Sequence, residues 1–337
     1  MDQQRKARRF GAAAILCALV FRLCSAGVPN RIYDCLIQPN IQKFVTKLET
    51  GRNVRFSASS EVFSEEEEIW PLFFRESPPP WISETEPEPT LPAFSGADKL
   101  EIAYSCSLRP DLEALLQQPL QWDLTGNEPT VLILHTHTPE SYTKNGESYK
   151  ETAAFRTLDE NYNMLSIGSR VMEILAENGI TAVHDRELHD YPSYNGSYTH
   201  ARASMAALLL ENPTVKLVLD LHRDASGSNL NQLRTVASIG GSTAGQLMFV
   251  MGTNAAGLEH EKWEQNLSLA LKLQAQLETQ APGIMRPLSL RAQRFNQDMH
   301  PGAILVEVGA AGNTHEEAML AAQELAKAIV ALAKGTQ

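Results

Sequence analysis

From residue 131 onward, short apolar runs alternate with segments whose apolar residues recur at helical spacing, and this alternation restricts the fold strongly. The apolar runs predict five buried strands, at residues 131–134, 180–183, 215–221, 247–251 and 303–308. The helical patterns lie at residues 164–175, 201–210, 263–277 and 316–333. Strands separated by helices predict an α/β fold, with a mostly parallel twisted sheet and helices on both of its faces.

The N-terminus has the pattern of a targeting segment. A basic cluster in the first nine residues precedes an apolar run at residues 10–21, and a weaker apolar stretch continues to Val28 beyond Arg22. A basic cluster before a short apolar run is typical of an export signal. With Arg22 reaching back to the interface, the whole stretch is long enough for an uncleaved anchor. We expect residues 1–29 to be a signal or membrane anchor, with the rest exported.

The next segment has the composition of a spacer. Residues 64–68 form an acidic run, and residues 78–92 are rich in proline and glutamate. Such a segment buries too little apolar surface to fold, so we expect residues 30–98 to be a largely disordered extracytoplasmic spacer. The catalytic domain is then predicted at residues 99–337. The spacer would hold this domain away from the membrane.

The overall charge and the cysteines exclude several classes of function. The net charge is -11 at pH 7, and no basic stripe follows the first nine residues, so nucleic acid is not an expected partner. No cysteine follows Cys106, so the part of the chain after it, which carries all the candidate site residues, has no disulfide, no thiolate metal site and no cysteine nucleophile.

Histidines and carboxylates cluster at three strand ends. Residues 135–140 follow the first strand, residues 220–224 end the third, and Glu307 lies inside the fifth. Because sites in open α/β sheets form at the carboxyl ends of the strands, we expect these groups to converge. Two imidazoles and two carboxylates are the side chains of a catalytic zinc site, which takes three protein ligands and leaves one position open.

We assign His137, Glu140 and His222 as zinc ligands and Glu307 as the general base. A carboxylate inside an apolar strand is costly unless it is used or paired, and the alternative for Glu307 is a salt bridge to Arg223. The base would take a proton from the attacking water and return it to the leaving amine.

Two ligand assignments have alternatives in the sequence. His135 points to the same side as His137 if the strand continues, so the two can exchange roles. Asp159 can replace Glu140 as the carboxylate ligand, although capping of the following helix is the preferred explanation for Asp159.

Substrate contacts are predicted on the same edge of the sheet. The loop at residues 191–198 is rich in tyrosine and small polar residues, which suit contacts with sugars and peptides. We assign Tyr194, Asn195 and Arg223 to substrate binding. An ordinary turn is the alternative for the loop.

The chain resembles the stage II sporulation protein P family over about residues 128–334. The motifs that carry the resemblance are HTHTPESY at 135–142, RTLDENYN at 156–163, HD at 184–185, YNGSY at 194–198, DLHRD at 220–224 and VEVG at 306–309. The resemblance implies an amidase-like fold, related to that of the zinc-dependent N-acetylmuramoyl-L-alanine amidases. It also implies ligand roles for His137 and His222 and the base role for Glu307.

The same resemblance implies a biological setting. Members of the family thin septal peptidoglycan during engulfment of the forespore, as amidases and as endopeptidases on peptide cross-links. Their partners are stage II sporulation proteins D and M. The expected location is the mother-cell membrane, facing the space between the membranes.

Three other functions remain as alternatives. A non-catalytic scaffold that binds the cell wall would use the same fold but lack a ligand or the base. A zinc hydrolase of a different amide or ester would keep the site and change the substrate. A nucleotide-binding protein is disfavoured because no glycine-rich phosphate loop follows the first strand.

Overall fold

The computed structural model describes residues 100–119, 122–228 and 231–335. The predicted anchor at 1–29 and spacer at 30–98 lie outside these residues and stay predictions. Within the described ranges, no helix has both the length and the apolar character that a membrane crossing requires.

The described residues form strands and helices that alternate along most of the chain. The strands are β1 (Ile102–Tyr104), β2 (Val131–Leu134), β3 (Glu151–Ala153), β4 (Arg156–Thr157), β5 (Ala182–His184), β6 (Leu217–Asp224), β7 (Gly227–Ser228), β8 (Asn231–Gln232), β9 (Val236–Ile239), β10 (Ser242–Gly245), β11 (Leu247–Met251), β12 (Leu288–Leu290) and β13 (Ala303–Ala310). The α-helices are α1 (Leu112–Gln117), α2 (Met164–Glu177), α3 (Ser197–Glu211), α4 (Trp263–Gln280) and α5 (His315–Ala333).

Seven strands form one central sheet in the order β1-β12-β11-β13-β6-β2-β5. Every neighbouring pair in this sheet is parallel except β11 and β13, which are antiparallel. The prediction of a mostly parallel α/β sheet is confirmed. The single antiparallel pair divides the sheet, because β13, β6, β2 and β5 run in one direction and the other three strands in the opposite one.

Helices cover both faces of the sheet, as the alternation predicted. Along β6, Leu217, Leu219 and Leu221 enter the large core with α2, α4 and α5. Val218 points the other way, into a smaller core beneath α3 that also contains Met205. Since successive strand residues point to opposite faces, Asp220 and His222 fall on the same face as Val218, the one that α3 covers.

The sequence missed several short elements and misplaced some boundaries. β1 and β12 have three residues each, too few to give an apolar run, and the small hairpins lie outside the central sheet. β5 occupies 182–184 instead of 180–183, and α3 begins at Ser197 instead of residue 201. β6 and β13 extend to Asp224 and Ala310, because their polar residues also pair within the sheet.

A close approach at Gly302 sets the start of the β6–β13 pairing. Its carbonyl accepts a hydrogen bond from the Val218 amide at 2.9 Å, and a Cβ at this position would overlap the carbonyl oxygen of Lys216. The absence of a side chain therefore lets the two strands enter side by side, in the register that pairs Glu307 with His222.

The variant Gly302→Ala should lower the free energy of unfolding by about 3 kcal/mol, because backbone must move to admit the methyl group. Gly283→Ala is the matched control: its Cβ would meet no atom within 4 Å, although φ is 81°. The control should lose only about 1 kcal/mol, from left-handed backbone strain. Urea unfolding of both variants tests the difference, and equal stabilities would contradict the role given to Gly302.

Candidate active site

The strand register brings the predicted groups together at one place in the sheet. Leu134, the last residue of β2, pairs with Asp220 of β6, and His222 of β6 pairs with Glu307 of β13. The segment that begins at His135 leaves β2 directly beside these positions. The expectation that the strand ends converge follows from the parallel pairing of β2, β6 and β13.

His222 lies between buried carboxylates. Its Nε2 is 3.0 Å from Asp220 Oδ1, and its Nδ1 is 3.8 Å from Glu140 Oε2. Burial alone would lower the pKa of His222, but the charge and hydrogen bond of Asp220, with the charges of Glu140 and Glu307, raise it to about 10. Without a metal, this imidazole is therefore a buried cation at neutral pH.

Asp220 is fixed by the segment that follows β2. The amide and hydroxyl of Thr136 donate to its two carboxylate oxygens at 2.9 and 2.7 Å. Burial favours the neutral acid, but the charge of His222 and these hydrogen bonds outweigh it and lower the pKa of Asp220 to about 2. Asp220 is thus an anion held in one orientation.

Glu307 is a half-buried carboxyl group with one buried oxygen that lacks a hydrogen-bond partner. Its Oε2 has none among the described residues. Burial raises the pKa of Glu307 to about 8, the charges of Glu140 and Asp224 raise it further, and His222 and Arg223 oppose the shift. A raised pKa and an unpartnered oxygen are typical of a carboxylate that handles protons.

Arg223 contacts Glu140, not Glu307. Its Nη1 is 3.4 Å from Glu140 Oε1, and its amide donates to Glu140 Oε2 at 3.2 Å. The rest of the guanidinium donates to the carbonyls of Ser141 and Phe155, both at 3.0 Å. The salt bridge considered as the alternative for Glu307 is therefore absent from the described contacts. Arg223 is buried against Glu140, and its guanidinium and amide hold this carboxylate in place.

His137 is the imidazole that faces His222. The two ring centroids are 5.3 Å apart and the planes are perpendicular. Asp190 Oδ2 lies 2.9 Å from His137 Nδ1 and also pairs with Arg156. The hydroxyl of Tyr194 lies 3.1 Å from His137 Nε2, and the two rings stack with centroids 4.5 Å apart.

The alternative ligands lie elsewhere. His135 is buried with Nδ1 3.1 Å from the Leu221 carbonyl and Nε2 2.8 Å from His184 Nε2. Burial, together with His184, lowers the pKa of His135 to about 3, so this pair is neutral. Asp159 accepts hydrogen bonds from Asn161, and Asn163, not Asp159, caps α2.

The two loop residues assigned to substrate lie at the surface of the site. Tyr194 is 47% exposed while contacting His137, and Asn195 is exposed beside it. Tyr198, at the start of α3, places its ring edge against His137 at a centroid distance of 5.8 Å. The loop therefore forms a wall over His137, with Tyr194 and Asn195 exposed on its outer side.

His137, Glu140 and His222 are side chains of the kinds that zinc binds, but their donor atoms do not converge on one point. The described residues contain no group of three or more His, Cys, Asp or Glu side chains that is arranged to hold a metal ion. His222 Nδ1 and Glu140 Oε2, 3.8 Å apart, are near the roughly 3.4 Å that separates two ligands on one tetrahedral zinc. The nitrogen of His137 on this side is taken by Tyr194. The residues fit zinc if the Tyr194 hydroxyl leaves.

Sequence reasoning missed the carboxylates that contact the two histidines. Asp190 lies in the loop after β5, and only the folded chain brings it to His137. Asp220 was visible in the strand but was given no role. Arg156, which pairs with Asp190, was visible only as part of a motif. A search for buried carboxylates near each candidate ligand would have required the tertiary structure.

The variant Glu307→Gln should change how stability depends on pH in the metal-free protein. The unfolded chain loses this proton near pH 4.5, whereas the folded chain keeps it to about pH 8. The folded state therefore binds more protons in this window, and the free energy of unfolding falls as pH rises. Urea unfolding with chelator at pH 4.5 to 8 should show Glu307→Gln gaining stability relative to the parent as pH rises. Parallel curves would contradict the buried, protonated state of Glu307.

Two solved structures that match this chain are of proteins named as amidases. The N-acetylmuramoyl-L-alanine amidase Ami1 of Mycobacterium smegmatis is 16% identical, with a TM-score of 0.38, and the match covers 64% of this chain and 98% of that one. The amidase AmiC2 of Nostoc punctiforme is 17% identical, with a TM-score of 0.35, and the match covers 63% of this chain and 97% of that one.

Sequence comparison identifies a relative and a family. The stage II sporulation protein P of Bacillus subtilis (strain 168) is 26% identical over 215 residues, which are 60% of this chain and 50% of that protein. The chain thus matches about half the length of this curated relative. The family model for stage II sporulation protein P matches residues 59–330, which is most of the chain. The chain belongs to the stage II sporulation protein P family.

Proposed function

We propose that the chain is a zinc-dependent peptidoglycan hydrolase that acts in forespore engulfment during sporulation. Its reaction is that of an N-acetylmuramoyl-L-alanine amidase, and it also cleaves peptide cross-links as an endopeptidase. The observation that carries the proposal is Glu307, a half-buried carboxyl group next to His222 whose Oε2 is buried without a hydrogen-bond partner among the described residues. Membership in the stage II sporulation protein P family supports it.

His137, Glu140 and His222 would hold the zinc ion. Zinc would polarise the scissile carbonyl, activate water, and lower the pKa of acids beside it. Arg223 supports the site by holding Glu140 through both its guanidinium and its backbone amide. His137 and Glu140 lie in the segment at 135–140, and His222 lies in the strand β6 beside it. Little flexible chain therefore lies between the ligands.

Glu307 would transfer the proton. In the ionised form it accepts a proton from the attacking water, and as the acid it donates that proton to the nitrogen of the leaving amine. Its half-buried position leaves it open to a substrate in the site, and a bound substrate would displace the water there. The raised pKa of the metal-free carboxyl supports a role in which both protonation states are used.

Substrate contacts belong to the loop over His137. Tyr194 and Asn195 are exposed there and offer an aromatic face, a hydroxyl and an amide to sugar or peptide groups. Arg223 is assigned a supporting part instead, because its described contacts all lie inside the protein.

The proposal includes a location and partners. The basic and apolar pattern of residues 1–29 supports a membrane anchor that leaves the domain outside the cytoplasm. Peptidoglycan is then the substrate within reach, and the septal space facing the mother-cell membrane is the expected site of action. Stage II sporulation proteins D and M are the proposed partners.

The second candidate function is a scaffold that binds the wall without cutting it. The contact of the Tyr194 hydroxyl with His137 Nε2 favours this reading, because it occupies a nitrogen that zinc needs. A scaffold would bind peptidoglycan equally well with and without metal, whereas the enzyme would release products only with it.

The full-length chain should release free stem peptides from purified peptidoglycan when zinc is present and none after chelation. The variant Glu307→Gln, which keeps all three ligands, should still bind zinc and lose about 100-fold or more in turnover, because proton transfer is lost. Mass spectrometry of the digests reports the products, and separated cross-linked peptides would add the endopeptidase reaction.

The control is Glu316→Gln, a glutamate in the first turn of α5 that is absent from the site contacts described above. It should digest peptidoglycan like the parent. Turnover of Glu307→Gln equal to that of the parent would exclude Glu307 as the base. No release by the parent with zinc would favour the scaffold.

A further inference from the structure

Each proposed histidine ligand has a buried carboxylate at one of its two ring nitrogens. Asp190 Oδ2 is 2.9 Å from Nδ1 of His137, and Asp220 Oδ1 is 3.0 Å from Nε2 of His222. The carboxylate side chains are 0% and 10% exposed, so water competes little for these contacts. The two pairs use opposite nitrogens, and they come from different parts of the fold.

Both carboxylates are held by other groups as well. Arg156 pairs with Asp190 Oδ2. The amide and hydroxyl of Thr136 donate to Asp220. Because these anchors contact neither imidazole, the carboxylates are positioned before any metal arrives.

His137 is hydrogen-bonded to Asp190, whereas His222 and Asp220 form a close ion pair outside hydrogen-bond geometry. In both cases the carboxylate favours the ring proton on the nitrogen that faces it, which leaves the other nitrogen as the donor to a metal. The free sides are then Nε2 of His137 and Nδ1 of His222. The second of these faces Glu140 at 3.8 Å, and the first is the nitrogen that Tyr194 contacts. Both free nitrogens thus lie next to groups already placed in the site.

We propose that Asp190 and Asp220 are positioning residues that decide which nitrogen each histidine offers, so that zinc binds through Nε2 of His137 and Nδ1 of His222. The inference rests on the proposed function, because it takes these histidines as ligands. It adds Asp190 and Asp220 to the site, and it has the two histidines bind zinc through different ring nitrogens. Without these carboxylates either ring would be free to rotate or to change tautomer, and zinc would bind less tightly.

The chain contains a matched control for the loss of a buried histidine–carboxylate pair. Asp185 Oδ2 lies 3.0 Å from Nε2 of His189, both side chains are buried, and the pair belongs to the same loop as Asp190. Neither residue is a proposed ligand or contacts one in the described structure. Asp185→Asn therefore perturbs the loop in the same chemical way without reaching the site.

The first test measures zinc affinity of the full-length chain by competition with a chromophoric chelator. Asp190→Asn and Asp220→Asn should each weaken zinc binding about 10- to 100-fold, and Asp185→Asn should stay within about twofold of the parent. Equal affinity in all four proteins would overturn the inference. A loss as large in Asp185→Asn as in the other two would also overturn it, since the effect would then be a general loosening of the loop.

The second test substitutes neither aspartate, so it holds even if Asp220→Asn fails to fold. In the full-length chain labelled with 15N-histidine and loaded with 113Cd, nitrogen–cadmium couplings should appear at Nε2 of one histidine and Nδ1 of another. Histidine-to-glutamine variants at 137 and 222 assign the two signals. Couplings at the same type of nitrogen in both rings would overturn the inference. A parent protein that binds neither zinc nor cadmium would instead remove the proposed function, and the inference with it.

Discussion

The parallel pairing of β6 with β13 is the constraint on which the site depends. It sets Glu307 beside His222 in the interior of a sheet, where His222 is buried and Glu307 is half-buried. Glycine at 302 allows the two strands to enter this pairing, and the apolar residues that alternate with the polar ones anchor β6 in the large core. If the register of these strands shifted by one residue, Glu307 and His222 would point to the opposite face of the sheet, which packs against α2, α4 and α5.

The charges in this interior are arranged in compensating pairs, with one group left over. His222 lies between Asp220 and Glu140, and Arg223 lies beneath Glu140. Buried ion pairs add little to stability, because desolvation offsets their attraction. Glu307 is the group left over. Desolvation raises its pKa to about 8, which favours the protonated form, and its Oε2 has no hydrogen-bond partner among the described residues. Such a cluster is better explained by what it does to a ligand than by what it adds to the fold.

Much of the site could be predicted from sequence because its residues lie in or directly after apolar strands. His137, Glu140, His222 and Glu307 are close together for this reason: parallel strands deliver their carboxyl ends to one edge. The sequence favoured His137 but left His135 as an alternative, because it does not show how the chain turns as it leaves β2; in the structure His137 is the neighbour of His222. His135 instead meets His184, whose ring had no predicted partner.

Other features depend on contacts between distant segments, which leave no pattern in the sequence. Asp190 reaches His137 from the loop between β5 and α3, and Arg156 reaches Asp190 from β4. Arg223 was expected to meet substrate, but it is directed inward by carbonyl groups at Ser141 and Phe155. The edge strand β1 and its neighbour β12 were missed because three residues carry no periodicity.

The central claim is that His137, Glu140 and His222 bind one zinc ion. X-ray absorption at the zinc edge of the loaded full-length chain tests it directly. The account predicts one zinc per chain with two imidazole nitrogens at about 2.0–2.1 Å, further oxygen ligands and no sulfur. His222→Ala should lose one imidazole from this shell. A zinc environment with no imidazole, or one that is unchanged in His222→Ala, would contradict it.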